Sequence, residues 1–139
     1  MRTILVAVDG SAGSDSAVKH VIHMVSNGAG AEVHVLYAQQ PIHENLTEIA
    51  LGMMAGLQHS EAEKATASAR ELLSQAGVAH RVSVETGEPA ETITKYAAAH
   101  GCGEIVMGTR GLGSIRSLIM GSGAMKVVHL ASVPVTLVQ

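Results

Sequence analysis

The chain has 139 residues, a formal net charge of −3 and 47% apolar residues, and it contains no Phe, no Trp and two Tyr. This length and apolar content predict a single domain over residues 1–139 with an aliphatic core. Because positive charge is not in excess and aromatic rings are scarce, nucleic-acid binding is disfavoured. No apolar run approaches the roughly 18 residues that span a bilayer, so we expect no membrane insertion, no leader peptide and a cytoplasmic location.

Strands and helices are predicted to alternate along the chain. Apolar runs with β-branched residues predict the strands, and apolar residues three and four apart predict the helices. In chain order we predict a strand over 3–9, a helix capped by Ser14 or Asp15, a strand over 31–39, a helix over 60–75, a strand over 80–86, a helix from near Pro89 to near Gly101, a strand over 103–109, a helix over 123–131 and a strand over 133–139. The segment 44–58 is not assigned.

This alternation predicts an α/β fold, with a parallel sheet covered by helices on both faces. In such sheets, ligands bind beyond the carboxyl ends of the strands, where the strand order reverses. If the order is 3-2-1-4-5, the reversal lies between the first and fourth strands. The loops that follow them, DGS from Asp9 and GTRGLGS from Gly108, would then face one crevice.

The segment from Gly108 to Ser122 has the composition of an anion-binding loop. Its glycines permit positive φ and allow backbone N–H groups to converge on a phosphate. The last helix is predicted to open at Gly121 and Ser122, where the N–H groups of Gly123 and Ala124 lack intrahelical partners. The motifs of P-loop proteins and of ordinary dinucleotide-binding folds are both absent. A merely flexible connection is the alternative interpretation.

The spacing Gly108-x2-Gly111-x9-Gly121-Ser122 resembles the nucleotide-binding signature of the ATP-binding branch of the universal stress protein family. The stretches ILVAVDGS, GEP and KVVHLASVPVTLV are also similar to that family, so the resemblance covers essentially the whole chain. It implies a three-layer Rossmann-like fold with a five-stranded parallel sheet of order 3-2-1-4-5. It also implies a homodimer formed through the last strand, Val133 to Val138, and a role in regulation or the stress response.

The resemblance further implies roles for individual residues. Asp9 would hold the ribose or adenine side of ATP. The other implied contacts are Ala7 and Val8 lining the base pocket, Tyr37 and Ala38 closing over adenine, and Gly108, Arg110, Gly111, Gly121 and Ser122 at the phosphates. Apart from the resemblance, Mg²⁺ could bind to the phosphates and to the Ser122 hydroxyl. Where the family usually has a β-branched and then a hydroxyl residue, this chain has Gly123 and Ala124. A phosphate contact is therefore missing, and weaker or altered nucleotide binding is expected.

The other candidate metal-binding and catalytic residues give weaker indications of function. His20 and His23 lie three residues apart on one predicted helix, but no third ligand stands at a supporting spacing, so no protein metal site is predicted. His34 and His129 are interpreted as structural. Without a nucleophile motif, we expect binding rather than catalysis, with at most slow ATP hydrolysis. A slow ATPase or phosphotransferase, and a partner-binding module that holds another anion, are the alternatives.

Overall fold

The computed structural model describes residues 2–26, 30–41, 46–109 and 122–139. Within these ranges the strands form one parallel sheet of order β3-β2-β1-β4-β5, which confirms the predicted fold class and strand order. The strands are β1 (Arg2–Ala7), β2 (Ala31–Gln39), β3 (His80–Thr86), β4 (Glu104–Gly108) and β5 (Val135–Val138). The helices are α1 (Ala12–Ser26), α2 (Glu48–Gln75), α3 (Pro89–Ala99) and α4 (Ser122–Leu130).

Each face of the sheet carries an aliphatic core. On one face, Leu5 of β1 packs in a cluster with residues of α3 and α4, including Ile93 and Val127. On the other face, Ile4 and Val6 pack in a cluster with residues of α1 and α2. Because β1 is covered on both sides, its residues 4–6 are fully buried. This explains the continuous apolar run that predicts the first strand.

The boundary between β1 and α1 differs from the prediction. β1 ends at Ala7 rather than Asp9, although the Val8 N–H still donates to the Leu36 carbonyl of β2. α1 begins at Ala12, so Ser14 and Asp15 lie inside the helix and do not cap it. Ser11 caps it instead, since its Oγ accepts a hydrogen bond from the Ser14 N–H at 3.2 Å.

The unassigned stretch belongs largely to α2, whose 28 residues begin at Glu48. Thr47 caps this helix by accepting a hydrogen bond from the Ala50 N–H at 3.2 Å. Its first half shows a weak helical pattern because it contains two glycines and its apolar residues are exposed.

β5 begins at Val135, two residues later than predicted. None of the helices in the described ranges is both long and apolar enough to cross a membrane.

Candidate functional site

The carboxyl ends of β1 and β4 lie side by side where the strand order reverses. Ala7 pairs with Met107 of β4 on one side and with Leu36 of β2 on the other. β1 continues into α1 on one face of the sheet, whereas β4 precedes α4 on the other face. The connections diverge here, and this is the position at which open α/β sheets bind ligands.

Asp9 organises the loop between β1 and α1 through its own side chain. Its Oδ1 accepts hydrogen bonds from the Ser11 N–H at 2.9 Å and from the Ser14 hydroxyl at 2.7 Å. The Asp9 N–H donates to Ser14 Oγ at 2.8 Å. Ser14 is buried and Asp9 is half-buried, so these bonds fix the direction of the carboxylate at the strand end. The sequence analysis did not predict that Ser14 orients Asp9, although Ser14 is the last residue of the pattern Asp-Gly-Ser-x-x-Ser.

Ala7 and Val8, the residues predicted to line the base pocket, contribute little exposed side chain. Ala7 is 4% exposed and Val8 is 1% exposed, and they belong to the cores on opposite faces of the sheet. The Val8 N–H donates to the Leu36 carbonyl at 2.9 Å. Their chief effect is to hold the backbone in position just before Asp9.

Two glycines allow backbone segments to approach closely around Asp9. Gly10 has φ of 84°, and a Cβ there would lie 3.1 Å from Ala65 Cα on α2. A Cβ at Gly108 would lie 2.9 Å from the carbonyl carbon and oxygen of Gly13 on α1. Gly108 is not among the described glycines with a positive φ. Gly108 therefore does not use the positive φ that glycine permits, and glycine stands at 108 because α1 packs directly against the end of β4.

Tyr37 and Ala38, at the end of β2, pack against opposite faces of the sheet. Burial raises the pKa of the Tyr37 phenol, and the negative charges of Glu61 and Asp9 raise it further. The phenol therefore lies within electrostatic reach of Asp9. Glu61, on α2, is a member of the site that no sequence motif indicates.

A cavity of about 240 Å³ lies beside the Tyr37 ring, between the end of β2 and α2. Its walls combine apolar side chains with amide and carboxylate groups. The lining includes Gln39, Pro41, Met54, Leu57 and Glu61.

The predicted phosphate end of the site falls partly outside the described residues, which include none of Arg110, Gly111 and Gly121. Ser122 begins α4, whose next residue, Gly123, is half-buried. Ala124 is 2% exposed and belongs to the same core cluster as Ala7. Because its side chain faces the core, Ala124 can contact a ligand through its backbone alone.

Comparison with known proteins identifies the family. The model of the universal stress protein family matches residues 1–139. The chain belongs to the universal stress protein family. This universal stress protein is 37% identical over 139 residues to the protein described as universal stress protein in the QAH/OAS sulfhydrylase 3'region of Thermus aquaticus, with 99% of this chain and 98% of that protein covered.

Solved universal stress proteins share the fold. UspA from Lactobacillus plantarum superposes with a TM-score of 0.84 at 23% identity, covering 99% of this chain and 97% of that one. The Archaeoglobus fulgidus protein in complex with dAMP gives a TM-score of 0.75 at 20% identity, with 100% and 98% covered. The Arabidopsis thaliana protein At3g01520 with AMP bound gives 0.73 at 17% identity, with 99% and 91% covered.

Proposed function

We propose that this universal stress protein binds an adenine nucleotide, and ATP in particular, at the adjoining ends of β1 and β4, and that it acts as a dimeric regulatory protein rather than an efficient enzyme. The observation that carries this proposal is the fixed carboxylate of Asp9 at the reversal of the strand order. Ribose hydroxyls and the adenine amino group are hydrogen-bond donors, and a carboxylate held in one direction accepts from them strongly.

The phosphates would lie towards α4. Its first N–H groups have no partners within the helix, and the positive end of the helix dipole favours an anion there. The glycine signature of the sequence leads directly into this helix. When bound, Mg²⁺ would neutralise phosphate charge, with the Ser122 hydroxyl as its one contact proposed from the chain. The adenine nucleotides bound by the Archaeoglobus and Arabidopsis relatives support this class of ligand.

The base would lie beside Tyr37. The adjacent cavity, about 240 Å³, is smaller than the roughly 300–1,000 Å³ of pockets that enclose whole small molecules. It therefore suits one part of a ligand, such as a base, while the sugar and phosphates occupy the open crevice. The Glu61 carboxylate would favour a base that carries an amino group.

Dimerisation would use the free edge of β5. Within the described residues β5 pairs with β4 alone, and its four residues are half-exposed. Met125 and Val128 on the neighbouring α4 are 56% and 47% exposed. An apolar strand edge of this kind favours pairing with a second chain.

Isothermal titration calorimetry with ATP, ADP and AMP tests the proposal. We expect ATP to bind and Asp9→Asn to weaken it about tenfold or more, since a hydrogen bond to a charged group contributes about 1.5–3 kcal/mol. The control is Asp15→Asn, which changes an acid in the first turn of α1 and should leave the affinity unchanged. Gly121→Val, which places a branched side chain at the proposed phosphate contact, should abolish binding.

Three outcomes would contradict the proposal. The absence of binding heat with every nucleotide would remove the nucleotide site. An unchanged ATP affinity in both Asp9→Asn and Gly121→Val would move the site elsewhere. Multiple turnover of ATP by the purified protein would favour the ATPase alternative.

A further inference from the structure

His34 is a buried imidazole in the middle of β2. It is 4% exposed, and its neighbours in the sheet are Leu5 on β1 and Arg81 on β3. Both ring nitrogens have partners: Nδ1 lies 2.8 Å from the Tyr96 hydroxyl on α3, and Nε2 lies 3.3 Å from Glu32 Oε1. Buried polar groups are costly unless they are hydrogen-bonded, and these contacts satisfy the ring.

The two partners determine which nitrogen of the neutral ring carries the proton. The ionised Glu32 carboxylate can only accept, so Nε2 donates to it, and Nδ1 accepts from the Tyr96 hydroxyl. The Ser83 hydroxyl on β3 lies 3.2 Å from the Tyr96 oxygen. Because the Tyr96 hydrogen is donated to His34, Ser83 is the donor in this contact. The resulting chain runs from Ser83 through Tyr96 and His34 to Glu32, and it ties β3, α3 and β2 together.

A second proton on His34 would reverse this chain. Nδ1 would become a donor to the Tyr96 oxygen, so the hydrogen of the Tyr96 hydroxyl would have to turn away from the ring and be donated to the Ser83 oxygen. The added charge would also be poorly neutralised, because Arg81 already lies 3.5 Å from the Glu32 oxygen that faces His34.

The other titratable groups described around the ring would neutralise little of this added charge. On α3, the His100 ring stacks on Tyr96 with centroids 3.8 Å apart, and its centroid lies 5.8 Å from that of His34. Cys102, which follows α3, is buried, and burial followed by the charge of Glu32 raises the pKa of its thiol, so it carries no charge near neutral pH. Burial is the largest influence on His34 and lowers its pKa below 6.5. Glu32 opposes this, while Arg81 and His100 add to it.

We propose that His34 is a proton-sensitive latch, which holds α3 and the edge strand β3 to β2 when it is neutral and loosens them when it is protonated. β3 is free to respond because β2 is its one neighbour within the described sheet. A groove of about 370 Å³ already runs between α3 and the end of β3, and Tyr96 and His100 are among its lining residues. Opening would therefore extend a surface that water already reaches.

The direction of the pH effect follows from proton linkage. An opened His34 titrates near its ordinary pKa of about 6.5, whereas the latched ring titrates lower. The latch is therefore fully effective above about pH 6.5, and it weakens as the pH falls from there towards the lowered pKa. Within that window, one extra proton in the open form raises the opening constant by at most about tenfold per pH unit.

Native-state hydrogen exchange between about pH 5 and pH 8, corrected for intrinsic rates, tests the latch. Peptides from β3 and α3 should lose protection relative to those from α1 as the pH falls below about 6.5, by up to tenfold per pH unit. His34→Asn keeps an acceptor for the Tyr96 hydroxyl but cannot be protonated, so its relative protection should not change with pH. The control is His59→Asn, which removes an exposed histidine of α2 and should behave as the natural sequence does.

Identical pH profiles in the natural protein and His34→Asn would overturn the latch. If His34→Asn fails to fold, the natural protein and Tyr96→Phe are compared by NMR titration of the imidazole. The His34 pKa should lie below 6.5 in the natural protein and rise in Tyr96→Phe, because the donor to Nδ1 is lost. A pKa at or above 6.5 in the natural protein, or no rise in the variant, contradicts the proposal.

Discussion

Gly108, at the end of β4, lies directly against Gly13 in the first turn of α1. A Cβ at 108 would come within 2.9 Å of the Gly13 carbonyl carbon and oxygen, which is closer than real Cβ contacts. Because these are backbone atoms, they cannot rotate away as a flexible side chain could. Glycine at position 108 therefore sets how closely α1 packs on the sheet beside Asp9.

Gly108→Ala should lower the free energy of unfolding by about 1–3 kcal/mol, because the added methyl forces α1 away from β4. Urea denaturation followed by circular dichroism measures this change. Gly103→Ala is the control, since a Cβ just before β4 would meet nothing closer than the Thr3 carbonyl oxygen at 3.9 Å. Equal stability of the two variants would show that the Gly13 contact is not maintained in solution.

Gly56→Ala should stabilise the protein by about 0.5–1 kcal/mol, because alanine favours the helix and restricts the unfolded chain. Gly56 lies inside α2, where a Cβ would meet nothing within 4 Å. Gly77→Ala offers the opposite case, since Gly77 has φ of 69° and alanine there should destabilise. A loss of thermal stability in Gly56→Ala would argue against a continuous α2 in solution.

Ser14→Ala should weaken both stability and nucleotide binding. It removes a buried hydroxyl that donates to Asp9 Oδ1 and accepts from the Asp9 N–H, so a loss of about 1–3 kcal/mol in unfolding free energy is expected. Asp9 Oδ1 would also lose one of the two described hydrogen bonds that orient it, which should raise the Kd for ATP. Ser16→Ala, in the same turn of α1, is the control for both measurements. An unchanged Kd for ATP in Ser14→Ala would show that Asp9 needs no such support.

Glu88→Gln should flatten the acid limb of the stability profile. Desolvation acts to raise the pKa of Glu88, but N–H donation from Glu91 and Ala90 and the charge of Lys126 outweigh it, so its pKa lies below 4.5. Its stabilisation is thus present above about pH 4.5 and is lost as the pH falls through the lowered pKa. The side chain is partly exposed, so we expect less than about 1 kcal/mol.

Urea denaturation at a series of pH values measures this effect. The control is Glu85→Gln, which neutralises an exposed acid on β3. Parallel profiles for Glu88→Gln and the natural protein would show that the carboxylate charge does not stabilise the start of α3.

The order of strands and helices could be predicted because each buried strand carries its own apolar signal. The bounds of β2 and β3 agree with the prediction, and the strand order places Asp9 and Gly108 at one edge of the sheet. The remaining features depend on tertiary contacts. Neither the approach of Gly13 to Gly108 nor the position of Glu61 near Tyr37 leaves a local pattern, because these partners come from distant parts of the chain.

Among the described strands, β5 has a neighbour on one side only, so its other edge can pair with a second copy of the chain. The Pro134 carbonyl accepts from Ile105 of β4, and the Val138 carbonyl accepts from Thr109, the residue after β4. The backbone of Thr136, two residues from each, therefore faces β4, while Val135 and Leu137 direct their backbone groups to the open edge. A second copy related by two-fold symmetry would pair antiparallel there, with the two Thr136 residues close together near the centre of the interface.

Thr136→Glu and Thr136→Lys should each shift the protein to monomers, because like charges would face each other across the symmetry axis. A mixture of the two variants should form dimers again, since the facing charges are then opposite. Analytical ultracentrifugation measures the oligomeric state of each variant and of their mixture. Glu85→Lys, on the opposite edge strand, is the control. If both single variants remain dimeric, the dimer does not form through β5. If the natural protein is a monomer at every concentration, the proposed dimer is contradicted.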